Sequence, residues 1–198
     1  MTSLIVHSIV KKDGITSAAT GIDYAHHELH GGSSFTCHYT QDVSDTNDRS
    51  IIVLKTPAAP KYCHTIVAAS STAAALAKIT EAPTVTNDTG ATLAVYNRRR
   101  VGTPNESGVI DISQDPDTAN AATYFTEATM GNVTVGTVIA MTTLGAAGAG
   151  VVKQIGGVTR ETQEWILKAS TLYAFELISL DDTDNTHWIE VSWYEHTE

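Results

Sequence analysis

The chain is expected to be all-β: an antiparallel β-sandwich or jelly-roll-like module of roughly ten short strands joined by long loops. Three observations point there. Two extended aromatic and β-branched runs, 172–180 and 187–195, flank the acidic turn Asp181-Asp-Thr-Asp-Asn185, which is the pattern of a β-hairpin. Thr occupies 29 of 198 positions, and it favours strands and turns over helix interiors. Short apolar runs are separated throughout by Gly, Pro, Asn and Asp clusters.

The elements follow in order. Residues 3–10 alternate weakly and read as a first strand, 11–21 as a loop, and 22–29 as extended chain ended by Gly31-Gly32. In Ser34-Phe-Thr-Cys-His-Tyr39, Phe35, Cys37 and Tyr39 share one face of a half-buried strand. After a polar turn at 42–49, Ser50-Ile-Ile-Val-Leu-Lys55 is apolar without alternation, so both of its faces should be covered. Pro57 and Pro60 end it. Residues 62–68 form another strand. The stretch 71–79 is rich in alanine, yet its neighbours favour strand there too. Glu81-Ala-Pro-Thr84 and Asn87-Asp-Thr-Gly90 are turns, and 91–97 is a strand. Residues 101–132 lack periodicity and are expected to be an irregular, protruding segment of a single domain spanning 1–198. Strands at 133–144 and 151–155 flank Gly145-Ala-Ala-Gly-Ala-Gly150, and 164–168 leads into the closing pair.

Composition narrows the function. A net charge of −10 disfavours binding to nucleic acid or to an anionic membrane, because phosphates repel such a chain. No apolar run approaches the roughly 18 residues of a membrane-spanning helix. The N-terminus has no basic region ahead of its apolar residues and reads as a strand, not a signal peptide. Charged residues make up only 17% of the chain, and a surface of Thr, Ser and Ala suits either contact with other protein or the ordinary exterior of a Thr-rich β-sandwich. Cys37 and Cys63 are expected to be reduced and in or near the core; a disulfide would require them to fall on adjacent strands.

Motifs with chemistry are few. In His26-His-Glu-Leu-His30, Glu28 follows His27, whereas the zinc-protease pattern needs Glu directly after the first His of an i, i+4 pair. On a strand, His26, Glu28 and His30 would share a face, which makes them the metal-ligand candidates of a chain expected to hold no metal or cofactor. Asp181-Asp-Thr-Asp-Asn185 resembles half of a calcium loop but has Thr186 where that loop needs Gly, and it reads as a solvated turn. Gly145–Gly150 reverses the dinucleotide-binding glycine spacing and reads as a flexible loop. Gly-x-Ser-x-Gly is absent, and no nucleophile constellation stands out, so an enzyme is not expected. Arg98-Arg99-Arg100 is a run of basic residues in an acidic chain. It suits an ion-pair anchor to an acidic patch, such as a neighbouring subunit, or else a solvated loop or internal pairing with the chain's own Asp and Glu. On the last strand, Ile189, Val191 and Trp193 are expected in the core, with Trp188 and Tyr194 facing a neighbour.

Several stretches, taken in order, resemble a family of small tailed-bacteriophage virion proteins: the capsid decoration (cement) proteins, with related domains on head fibres and tails. They are His27-Glu-Leu-His-Gly-Gly-Ser-Ser-Phe35; Thr56-Pro57 with His64; Glu81-Ala-Pro-Thr84; Gly90-Ala-Thr92; Asn97-Arg-Arg-Arg100; Gly136-Thr-Val-Ile139; Ile166-Leu-Lys168 with Tyr173; and Trp193-Tyr-Glu195. The resemblance implies a non-catalytic β-sandwich or jelly-roll module that binds the outside of an assembled capsid as a homotrimer and stabilises it. Its partners would be the major capsid protein and its own copies. It would be made in the host cytoplasm and reside on the virion surface. The interface candidates are Arg98, Arg99, Arg100, Trp188 and Tyr194. The alternative is a tail or head-fibre module binding host glycans through exposed aromatics such as Trp188 and Tyr194.

Overall fold

A computed structural model of the chain describes residues 11–12, 19–20, 24–85, 90–103, 105–112, 118–125, 133–144, 151–155 and 164–197. The expected first strand at 3–10 and the glycine loop at 145–150 lie outside them. The described residues form a nearly all-antiparallel β structure, as the sequence predicts, built on two main sheets.

The smaller sheet runs β15-β5-β18-β3-β9, comprising Val151–Ile155, Lys61–Ser71, Asn185–Thr197, Ser34–Val43 and Tyr96–Asn97. β16, Trp165–Leu167, pairs with β5 beyond β15. The larger sheet runs β11-β10-β4-β17-β6-β14, comprising Thr118–Ala119, Ile110–Asp111, Arg49–Lys55, Leu172–Ser179, Ala75–Glu81 and Thr137–Leu144. β12, Ala121–Phe125, bridges β4 and β8, Ala91–Ala94. Two small ribbons pair β1 with β2, Lys11–Lys12 and Ala19–Thr20, and β7 with β13, Thr84–Val85 and Val133–Thr134.

The period-2 alternation of the strands builds the core between these sheets. From the smaller sheet come Phe35, Cys37, Val67, Ile189, Val191 and Trp193; from the larger come Ile52, Leu54, Ile79, Tyr173, Phe175 and Leu177. Trp193 and Phe35 pack with their ring centroids 6.0 Å apart. A second apolar cluster lies on the other side of the larger sheet, where Ile51, Val53 and Ala174 meet Ile112, Phe125 and Val133. β4 is thus covered on both faces, as its unbroken apolar run predicts.

The closing pair is not a hairpin. β17 lies between β4 and β6, while β18 lies between β3 and β5, so the turn at 180–184 carries the chain from one sheet to the other. Both strands have an inward apolar face, and that pattern is met equally by two strands stacked across a core. The arch is fastened locally. The Thr46 amide and hydroxyl donate to Asp182, and the Asn185 Oδ1 accepts from the Ser71 and Thr72 hydroxyls and the Ala73 amide at 2.7–3.2 Å.

Three further regions depart from the sequence reading. Residues 24–31 form a helix, α1 (Tyr24–Gly31), where extended chain is expected. Gly31-Gly32 is its stop signal: Gly32 has φ +80°, its amide donates to the Leu29 carbonyl, and the Ser33 amide donates to the Glu28 carbonyl. That is the double bond of a Schellman cap, which favours glycine because φ is positive. The segment 101–132 contributes β10, β11 and β12 and buries Val109, Asp111, Ala122 and Phe125, so this part of it is woven into the larger sheet. The run 91–97 is split, with β8 in the larger sheet and β9 in the smaller one.

One end of the core is polar. His187 is fully buried, with Nδ1 3.0 Å from the Ser50 hydroxyl and Nε2 3.2 Å from the Asn185 amide. The Asn185 amide is a donor, so Nε2 accepts and the proton sits on Nδ1. Burial lowers the His187 pKa from 6.5 to about 4, against a smaller upward pull from Asp48.

Two outcomes are expected. Trp193→Ala should cost about 3–5 kcal/mol, while truncating the exposed Met141 to Ala should stay within about 0.5 kcal/mol; urea midpoints measure both. The unfolded chain takes up the His187 proton near pH 6.5 and the folded chain only near pH 4. Unfolding free energy should therefore fall as pH drops from about 6.5 to about 4, by on the order of 3 kcal/mol from this residue. His187→Gln should flatten that part of the profile, and an unchanged slope would refute the assignment.

Candidate interaction surface

The arginine run lies where the chain leaves β9 at one end of the smaller sheet. Asn97, which is buried, holds it there. Its Nδ2 donates to the carbonyls of Gly32 (2.7 Å) and Asn105 (2.9 Å), and its Oδ1 accepts from the Arg99 amide (2.8 Å). The Arg98 amide donates to the Ser34 carbonyl at the start of β3. The backbone is thus pinned through Asn97, while Arg98, Arg99 and Arg100 are exposed and continue into Val101, which is 77% exposed.

The opposite end of β3 is acidic. Asp42, Asp45, Asp182 and Asp184 are exposed around the β3–β4 turn and the β17–β18 arch. Between these segments lies a hollow of about 480 Å³ lined by Asp42, Val43, Ser44, Asp184, Asn185 and Thr186. The Thr186 hydroxyl positions Asp42 by donating to its Oδ1 at 2.8 Å. Two hydrogen bonds from Thr46 hold the Asp182 carboxyl below its usual pKa. Among the described residues no group of three or more His, Cys, Asp or Glu side chains is placed together at metal-holding distance.

The metal candidates are not brought together. His26, Glu28 and His30 lie on α1, not on a strand. At 3.6 residues per turn, Glu28 lies about 200° round the helix from His30, so those two side chains do not share a face. Glu28 instead accepts from the Ser33 hydroxyl and lies 3.3 Å from His27 Nδ1.

Tyr194 and Trp188 both project from the outward side of β18, as the alternation predicts, but they end differently. Trp188 is half-buried. Tyr194 is only 5% exposed and is covered by its own chain. Its ring stacks on His64 with centroids 4.6 Å apart, and its hydroxyl lies 3.0 Å from His64 Nδ1 and 3.2 Å from Glu164. His196 meets His64 edge-on.

Sequence reasoning misses three buried ionic groups because their partners are distant in the chain. Glu195 accepts from the Ser107 hydroxyl and the Gly108 amide and faces Lys61, tying residues 107–108 to β18. Glu176 is buried between Arg49 (2.7 Å) and Lys78 (2.9 Å), beside a cavity of about 150 Å³ closed by residues 133–138. Asp111 accepts from the hydroxyls of Thr92 and Thr123. Each is explained by holding strands or loops together.

Cys37 and Cys63 are both buried and free, on strands separated by β18. Burial raises the Cys37 pKa to about 12 and raises that of Cys63 as well, so neither thiol is poised as a nucleophile.

A neutral edge completes the surface. β14 is the last strand of the larger sheet among the described residues, and its sequence, Thr137-Val-Ile-Ala-Met-Thr-Thr-Leu144, carries no charge. Val138 is 50% and Met141 64% exposed, and Val135, just before the strand, is 80% exposed. Val135 (φ +60°) and Gly136 (φ +111°) turn the chain sharply into this strand; a Cβ on Gly136 would lie 2.8 Å from the Glu81 carbonyl oxygen.

No protein-family model matches the chain, and no curated protein or solved structure is significantly similar to it.

The geometry separates two roles within Asn97-Arg-Arg-Arg100. Asn97→Ala should lower stability by about 1–3 kcal/mol, because it strips partners from buried backbone groups. Replacing Arg98, Arg99 and Arg100 together by Ser should shift stability by no more than about 0.5 kcal/mol each, as expected for exposed side chains. Thermal melts of the two variants would show a reversed order if the arginines, not Asn97, hold the turn.

Proposed function

We propose that this chain is a structural protein of a bacteriophage particle: a decoration protein that binds the outer surface of the assembled capsid as a trimer and stabilises it. The observation that carries the reading is the edge strand β14. Soluble proteins guard their sheet edges with charges, prolines or covering segments, because an uncovered edge recruits other chains. Here an uncharged edge exposes Val138 and Met141 with Val135 alongside, as suits a protein that works in contact with other protein. The ordered motifs from His27 to Glu195 add the resemblance to virion modules, and the trimer and the capsid partner come from that resemblance.

The mechanism is mechanical. A protein that binds the closed shell but not its free subunits stabilises the shell by mass action. Contacts shared among several capsid subunits add avidity, because each further contact forms at high effective concentration. The glycan-binding alternative draws no comparable support, since the Tyr194 ring that would meet a sugar is stacked on His64.

The reading is tested on particles carrying the protein and on the same particles stripped of it. Decorated particles should release their genome at a temperature higher by several degrees, and Met141→Asp protein should rebind them more weakly. Equal release temperatures would refute the stabilising role.

A further inference from the structure

We propose that copies of this chain associate head to tail, with the Arg98–Arg100 loop of one copy seated in the acidic hollow at the far end of the next. This goes beyond the capsid reading, because it concerns contacts between copies of the chain and holds wherever the assembly docks.

The two surfaces lie at opposite ends of one strand. β3 begins at Ser34, whose carbonyl accepts from Arg98, and ends at Asp42 and Val43 in the wall of the hollow. Ten residues of strand separate them by about 30 Å. One chain therefore cannot bring its own arginines to its own hollow, so a second copy must supply one side of the contact.

The shapes and charges are complementary. The arginines extend from a loop whose backbone Asn97 fixes, so little ordering is needed on binding. The opposite end is concave, with about 480 Å³ between Asp42 and Asp184. Guanidinium groups make bidentate bonds to carboxylates, and a partly enclosed site screens them less than open water does. Each end also offers an apolar side chain beside its charges: Val101 is 77% exposed past the arginines, and Leu180 is 43% exposed at the start of the acidic arch. The contact joins different patches on the two copies, so it closes into a ring or propagates as a filament according to the rotation between neighbours.

Net charge supplies a test that ordinary electrostatics would fail. At −10 the copies repel one another. Replacing Asp42 and Asp184 by Ser removes two negative charges and weakens that repulsion, yet on this proposal it abolishes association. Replacing Arg98, Arg99 and Arg100 by Ser should do the same from the other side. Sedimentation velocity should show wild-type oligomers, and each variant alone at the mass of one chain, 21.1 kDa. Each variant keeps one intact surface, so an equimolar mixture should give a pair of twice that mass and nothing larger. A monomeric wild type, an Asp variant as oligomeric as wild type, or a mixture that stays monomeric would each overturn the proposal. Should a multiple variant misfold by circular dichroism, single substitutions replace it. Val101→Cys and Ser44→Cys proteins, which keep every arginine and aspartate of the contact, should give a crosslinked heterodimer when mixed with a short bismaleimide, because both positions are exposed and the native thiols are buried and unreactive. No crosslinked pair would also overturn it.

Discussion

Everything in this fold depends on the crossing at residues 180–184. It sets β17 and β18 at the centres of opposite sheets, so Tyr173, Phe175 and Leu177 close the core against Ile189, Val191 and Trp193. The two strands are neighbours in sequence and partners across the core, yet they share no ladder. The sandwich is therefore held together by side-chain burial between these strands more than by backbone hydrogen bonds between them. Their flanking strands, β4 and β6 on one side and β3 and β5 on the other, satisfy the backbone groups that a hairpin would have paired internally.

The crossing also explains why one end of the core is polar. A chain that turns from sheet to sheet brings backbone amides and carbonyls into the interior, where each needs a partner. Where the arch enters β18, Asn185 Oδ1 accepts from the Ala73 amide between β5 and β6 and from the Ser71 and Thr72 hydroxyls. The His187 ring meets the Ser50 hydroxyl, so the polar side chains gathered at this end are satisfied by one another. His187 fits only as a neutral ring, and the same burial that keeps it neutral makes the arch sensitive to acid.

Faces were legible in the sequence; partners were not. The alternation of Phe35, Cys37 and Tyr39, the two-sided burial of Ile51 to Leu54, and the inward set on β18 all follow from period-2 patterning. Patterning says which way a side chain points and nothing about which strand lies beside it. An acidic turn between two half-apolar strands serves a hairpin and an arch equally well, and that is why the hairpin reading failed. The helix at Tyr24–Gly31 escaped notice because Gly31-Gly32, read as the end of an extended segment, is the signal that ends a helix. The described strands within 101–132 are two to five residues long, too short for periodicity to register, and they owe their existence to pairing with one another and with β4 and β8. Tyr194 was correctly assigned to the outward face, but the ring that covers it, His64, is 130 residues away and has no local signature.

The same logic governs the two charged ends. Arg98–Arg100 and the aspartates of 181–184 are both conspicuous in the sequence, yet whether they neutralise one another within a chain depends on which end of the sandwich each turn occupies. β3 decides the matter: it starts beside the arginine loop and finishes beside the acidic arch. Charges that sequence alone would allow to pair internally are thus held a full strand length apart. They make the molecule electrically polar along its strands, with a basic projection at one end and an acidic hollow at the other. A strand can separate charges in this way only if its two ends are fixed, and here Asn97 fixes one and the Thr46–Asp182 contact the other.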